Sequence, residues 1–296
     1  MPTIAVAAAL GASLCWAIGS LIAHRPATQL GAFEFTRTQL ISSFALLIVI
    51  VTALNGWQSV TWVHWPSFVA TSLIGVVFTN LAMIACLRRG GPRRMQLLVS
   101  MSAPFAALLG FLFLGESMSP RKLVGVGLAF SGLLLAILFG RRGRHRIEVV
   151  QGSLATVIAL GLFAAFCHAV GLVALKPALL AGTDPLAATA LRTGGGALLI
   201  SVVALWPAAA FKTPTERTPS VVLRAMLPGF VGYIVAVSLQ LYALRSYDAG
   251  IVAVFSSMAP VVMLPMIWFM SGDRPPLPAW LGAILAVLGA GIIFAG

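Results

Sequence analysis

Charge is what this chain lacks. Only 9% of its 296 residues are Asp, Glu, Lys or Arg, against 60% apolar, where a soluble protein carries about 25% charged residues. A water-facing surface cannot be assembled from so few, so most of the exterior must face lipid. Acid is scarcest: seven carboxylate residues stand against 19 basic ones, and one of them, Glu34, falls within an expected apolar span, close to its start. Cysteine is also rare. Cys15, Cys86 and Cys167 sit in apolar surroundings, in odd number and with no metal-ligand spacing, which excludes a disulfide framework or a zinc site. They read as small buried apolar residues. No GxxxxGK[ST], HExxH or GxSxG occurs, which removes the signatures of an ATP-driven pump, a zinc protease and a serine hydrolase.

What the chain has in plenty is long hydrophobic runs. A transmembrane helix needs about 20 apolar residues, and lipid obliges each backbone amide to be paired within the span. Ten such segments are expected, near 4–22, 31–54, 66–87, 95–115, 123–140, 153–175, 184–206, 223–244, 250–270 and 278–295. The N-terminal run lacks a basic region before it and reads as the first span rather than a cleaved signal. Charge and turn residues mark the breaks: "AHRP", "NGWQS", "RRGGPRR", "ESMSPRK", "RRGRHR", "KTPTERTPS" and "SGDRPPLP". Trp57, Trp62 and Trp65 cluster after the second span, where an interfacial aromatic belt belongs. The net charge of +12 comes from these short loops, where Lys and Arg set orientation, and nucleic acid is not an expected partner.

The two halves resemble each other. Cys15–Trp16 matches Cys167–His168, Arg25–Pro26 matches Lys176–Pro177, and Arg37–Thr38 matches Arg192–Thr193. Ala103–Pro104 matches Ala259–Pro260, Gly115–Glu116 matches Gly272–Asp273, and Gly125 and Gly132 match Gly282 and Gly289. So many matches in order indicate a tandem duplication, with units at 1–146 and 147–296 forming one compact membrane domain. An odd number of spans per unit forces the second to enter the membrane inverted. The expected fold is therefore an all-α integral membrane protein of ten transmembrane helices in two inverted five-helix repeats, an architecture in which substrates bind near the midplane.

Pro104 and Pro260 fall in the middle third of the fourth and ninth spans. Proline in a helix interior removes a hydrogen bond and costs about 3 kcal/mol, so a kink or hinge facing a central cavity is expected at both. A packing kink without substrate contact is the alternative.

Ten spans as five plus five, an Arg in the second span of each half, and "ALRSYDAGIVAVFSSMAPV…GD" together resemble the EamA-like family of drug/metabolite transporters. The first half carries a weaker copy of the signature, with "RRGGPRR" where a short neutral turn is usual. The resemblance covers the whole chain. It implies secondary transport of small metabolites, often export, with no cofactor and no enzymatic activity.

Ionisable groups inside a span are costly and mark function by default. Glu34 and Arg37 are three apart on one helical face and close enough to pair. Arg192 is the repeat-mate of Arg37, whereas the mate of Glu34 is Thr189, so the acid exists in one half only. Arg37 and Arg192 are expected to line the cavity and favour a carboxylate, with Glu34 as a proton-responsive group or the binder of an amine; snorkelling to the interface is the bland alternative. His168, mid-span, suits a proton relay or a simple interhelical hydrogen bond. Asn80, Gln96, Ser100, Tyr233, Gln240 and Ser256 are candidate neutral hydrogen-bonding groups, and Trp16 could stack on substrate or pack. The three glycines after Arg192 suggest close packing more than local unwinding. Helices 5 and 10, rich in small residues, read as scaffold or as the contact of a homodimer, the protein being a monomer or a homodimer through them.

Loop Lys and Arg are lopsided: 13 follow odd-numbered spans and four (Arg121, Lys122, Lys176, Arg245) follow even ones. The positive-inside rule then places both termini outside, whereas the family resemblance implies both inside. The expectation is a multi-pass protein of a bacterial inner membrane. It would move a small polar or amphipathic metabolite, amino-acid-like first, by alternating access, as an exporter coupled to protons or to exchange. Export of organic cations or drugs, a lipid-linked substrate flippase, and a passive channel are the alternatives.

Overall fold

The computed structural model describes residues 2–116, 119–139, 153–206, 218–271 and 276–295. All regular structure among the described residues is helical. Five helices are long and apolar enough to cross a membrane, at Phe33–Ala53, Trp62–Cys86, Leu154–Leu180, Pro185–Val203 and Pro219–Leu244, and shorter apolar helices include Ile4–Gly19 and Ser102–Leu114. The expected loop "RRGRHR" (141–146) lies outside the described residues.

Two helices run further than hydropathy indicates. α1 (Pro2–Leu30) continues through Pro26 and ends at Gly31, whose φ of 73° turns the chain into α2 (Ala32–Ala53). α7 (Leu154–Leu180) likewise continues through Pro177. Each extension carries the matched basic-Pro pair, so Lys176 is a helical, buried residue rather than the loop residue counted above. Two short 3₁₀ turns follow α2, with Trp62 on the second of them and Trp65 just after it both about 60% exposed.

α3 (Trp65–Ala70) leads into a π-helical stretch, Thr71–Phe78, and then α4 (Thr79–Val99). The backbone is helical through "RRGGPRR", yet the chain doubles back there. Thr71 and Gly75 lie against Gly171, and the Cys86 thiol reaches the Val157 carbonyl, one helix length away. Leu98 then packs on Gly161, and Phe105 meets Phe166 edge-on at 5.7 Å. The chain therefore descends along α7 and returns along it. Small residues make this possible: a Cβ on Gly75 would collide with the Cα of Gly171.

α5 (Ser102–Leu114) is separated from α4 by a turn at Ser100–Met101, and α6 (Pro120–Phe139) follows. In the second half, α8 (Pro185–Val203), capped by the Asp184 carboxylate, precedes α9 (Pro219–Gly229), a second π-helical stretch Phe230–Ala236, and α10 (Val237–Leu244). α11 (Ala249–Ser256) and α12 (Ala259–Ser271) are separated by a turn at Ser257–Met258, and α13 (Leu277–Ala295) closes the chain.

The two turns replace the expected mid-helix kinks. Pro104 and Pro260 do not bend continuous helices; each is an early residue of a helix that restarts after a full interruption. The cause is the missing proline N–H. The Ser100 carbonyl, which residue 104 would normally serve, takes Ala103 N at 3.2 Å instead, and Met101 N folds back to Leu98 O. The second break repeats this tightening, with Met258 N on Phe255 O at 3.2 Å and Val261 N on Met258 O at 2.9 Å.

Helices of one half pack chiefly on the other: α1 on α9 to α12, α7 on the first π stretch, α4 and α5, α2 on α8, and α6 on α13. α6 and α13 meet through their glycines within one chain. Their small-residue faces are therefore spent on scaffold, while Val124, Leu281, Ile284 and Val287 point outward.

Candidate functional site

Glu34 lies in the first turn of α2, where the helix dipole favours a carboxylate. Arg37, one turn on, donates to it from Nη2 at 3.0 Å. Glu34 is 5% exposed. Arg37 Nε is buried with no partner among the described residues. The pair is thus formed as spacing predicts.

Arg192 stands apart from it. Phe44 packs on Gly194 and Leu40 reaches Gly196, so α2 and α8 run antiparallel. At 1.5 Å of rise per residue, Arg37 and Arg192 lie at depths differing by roughly 12 Å. The glycines of "RTGGG" sit in an unbroken helix against Phe44, Ser72 and Val76, which is close packing, not unwinding.

Around Arg192 a polar cluster is assembled from both halves. Tyr233, in the second π stretch, donates its hydroxyl to Asn80 Oδ1 at 2.9 Å, and Asn80 Nδ2 donates to the Val76 carbonyl at 2.7 Å. Val76 belongs to the first π stretch, whose wider turns free carbonyls for such partners. Arg192 is within electrostatic reach of both Tyr233 and His168. The Trp16 indole lies beside Gly232, where a Cβ would come within 3.3 Å of the ring. Arg192 is 5% exposed, and its Nη1 has no hydrogen-bond partner among the described residues. A buried guanidinium left part-unsatisfied is expensive; an incoming anionic oxygen would satisfy it.

The remaining candidates are dispersed. Gln240 Oε1 and Ser256 Oγ are buried without partners among the described residues; Ser256 ends α11 just before its break, and Ser100 is buried at the other break. The side chain of Gln96 lies outside the described residues. Thr189, the mate of Glu34, is held by the Pro185 carbonyl and receives Ser238. Trp16, Asn80, His168, Arg192 and Tyr233 are therefore brought together, and the Glu34–Arg37 pair is not part of that cluster. The hollows beside Val202–Trp206 and between Ala103, Leu133 and Met258 lie away from both groups.

One buried ion pair was not expected. Glu116 accepts from Lys176 Nζ, and both its oxygens accept Ala249 N at 3.0 Å. The two residues are 8% and 7% exposed. The signal was available, because both belong to matched positions of the two halves, but nothing in spacing says that position 116 meets position 176.

A polytopic protein, helical throughout its described residues and with polar groups buried among its helices, is defined by these features. Residues 3–138 and 155–295 match the EamA-like transporter family, and the chain belongs to that family. An uncharacterized transporter of Archaeoglobus fulgidus is 23% identical over 276 residues, 93% of this chain and 92% of its own. The threonine/homoserine exporter RhtA of Escherichia coli K12 is 35% identical over 125 residues, 41% of each chain. A crystal structure of 17% identity shares the fold, with a TM-score of 0.78 over 97% of this chain and 95% of its own. The chain is thus a multi-pass inner-membrane transporter and not an enzyme, with a small-molecule substrate.

Proposed function

We propose that the chain is a secondary transporter of ten spans in two inverted repeats, 1–146 and 147–296, exporting an amino-acid-like metabolite by alternating access. The observation that carries the substrate reading is Arg192: buried, cationic, with one nitrogen unpaired, and beside Tyr233, Asn80, His168 and Trp16. A carboxylate would complete its hydrogen bonding, and an organic cation would be repelled. The name of the exporter RhtA supports the same class. The two π stretches, the two proline breaks and the chain reversal between Cys86 and Leu98 support the repeat architecture, as do the two separate stretches that match the family.

In this reading Glu34 couples transport to protons or exchange, and His168 shares that task or binds substrate. Purified protein in proteoliposomes, preloaded with unlabelled threonine or homoserine, would be assayed for counterflow of the labelled amino acid. Saturable counterflow that Arg192→Ala abolishes is the expected result. Equal flux with and without the arginine side chain would overturn the substrate assignment, and unsaturable flux would indicate a channel.

A further inference from the structure

Four loops come together at one end of the bundle. Thr61 meets the Thr183 hydroxyl at 2.7 Å, Ser59 Oγ accepts Asp184 N at 2.9 Å, and Lys176 Nζ donates to the Tyr247 carbonyl at 3.0 Å. Glu116 is the centre of this junction. It binds Lys176 at the end of α7 and Ala249 N, the first amide of α11, and Asp248 stands 4.0 Å from the same ammonium. The seat is built for it. Gly115, at φ 66°, turns the chain after α5, and a Cβ on Gly110 would occupy the place of the Glu116 carboxylate.

The two elements joined through Glu116, α5 and α11, are the segments of the two proline-broken spans that end at this face, and they pack on each other. In each the helix is interrupted at its inner end, at Ser100–Met101 and Ser257–Met258. We infer that Glu116 is a positioning residue for transport: its carboxylate latches α5 to Lys176 and to the start of α11, holding this face closed, and the two segments swing on the breaks when the latch parts. This rests on the alternating-access reading above.

The test uses the full chain in lipid nanodiscs, with Cys15, Cys86 and Cys167 replaced by serine and a reporter cysteine at Ser256, which is buried at the inner end of α11. Alkylation by a hydrophilic maleimide reports opening, with no substrate required, so failure of the transport assignment and failure of the latch are distinguishable. Glu116→Gln and Lys176→Gln should each raise the alkylation rate about tenfold, the shift expected when one charge-assisted contact favouring a state is lost, and Lys176→Arg should not. Ala249→Pro removes the donated N–H at a helix position that accepts proline without altering charge, and should give a smaller rise. Unchanged alkylation in Ala249→Pro and in whichever charge variants fold would overturn the latch, as would an equal rise in Lys176→Arg.

Discussion

Gly132 and Gly289 make the same contact from opposite sides. A Cβ on Gly132 would strike Ala286 N and the Gly282 carbonyl; on Gly289 it would strike Ala129 N and the Gly125 carbonyl. Each atom set is the repeat-mate of the other, so α6 and α13 cross at a point of local two-fold equivalence. In lipid, where apolar surface gives no drive to associate, such backbone proximity is what holds helices together. Gly132→Val and Gly289→Val should therefore destabilise equally, by about 1–3 kcal/mol as overpacked sites do. Gly127→Ala, with nothing within 4 Å of the new carbon, should be neutral. Thermal unfolding in detergent reads all three.

Arg192 carries a desolvation cost in the unliganded protein. A single buried ion carries an effective desolvation penalty of several kcal/mol, which an apolar side chain of similar volume does not. Arg192→Met should accordingly raise the apparent Tm of the ligand-free protein while removing transport. A merely structural arginine would give the opposite sign, a lower Tm.

Glu34 is the acid that one half has and the other lacks. Glu34→Gln keeps a hydrogen bond to Arg37 but cannot exchange a proton. A pH gradient should no longer drive net flux, whereas substrate exchange at equal pH should persist within about threefold, the size of a modest hydrogen-bond loss. Flux driven equally well in the variant would remove Glu34 from coupling.

The breaks at Ser100–Met101 and Ser257–Met258 follow from single residues. Pro104→Ala and Pro260→Ala return a donor to the Ser100 and Ser256 carbonyls and favour continuous helices. Because each proline already sits in the first turn of a helix, where it is tolerated, stability should change by no more than about 1 kcal/mol, with turnover falling while substrate affinity holds. Flux and binding measured on the same preparations separate the two effects.

Much of the fold was legible in hydropathy, because lipid leaves a long apolar run no choice but to be helical. Less legible were the points where tertiary contacts override local preference. The π stretches around Val76 and Tyr233 each hold a glycine and β-branched residues, but such residues recur throughout the other spans and single out no π turn, and the Tyr233–Asn80 bond spans 153 positions. The Glu116–Lys176 pair was hidden because each residue looked like a loop charge at a span's end. The separation of Arg37 from Arg192 has a simpler cause. Each lies near the start of its own helix, and α2 and α8 run antiparallel, so equivalence in sequence becomes difference in depth.

Orientation is tested by a C-terminal reporter active only on one side of the membrane. The basic residues after odd-numbered spans predict that the C-terminus is outside; a cytoplasmic signal would favour the orientation implied by the family instead.

Thermal stabilisation of the purified protein by threonine and homoserine, set against the corresponding decarboxylated amines, probes the carboxylate site directly. A rise in Tm with the acids, none with the amines, and none with either in Arg192→Ala is the predicted outcome. Stabilisation by the amines, or by the acids in the absence of the guanidinium, would contradict a substrate anchored by its anionic end at Arg192.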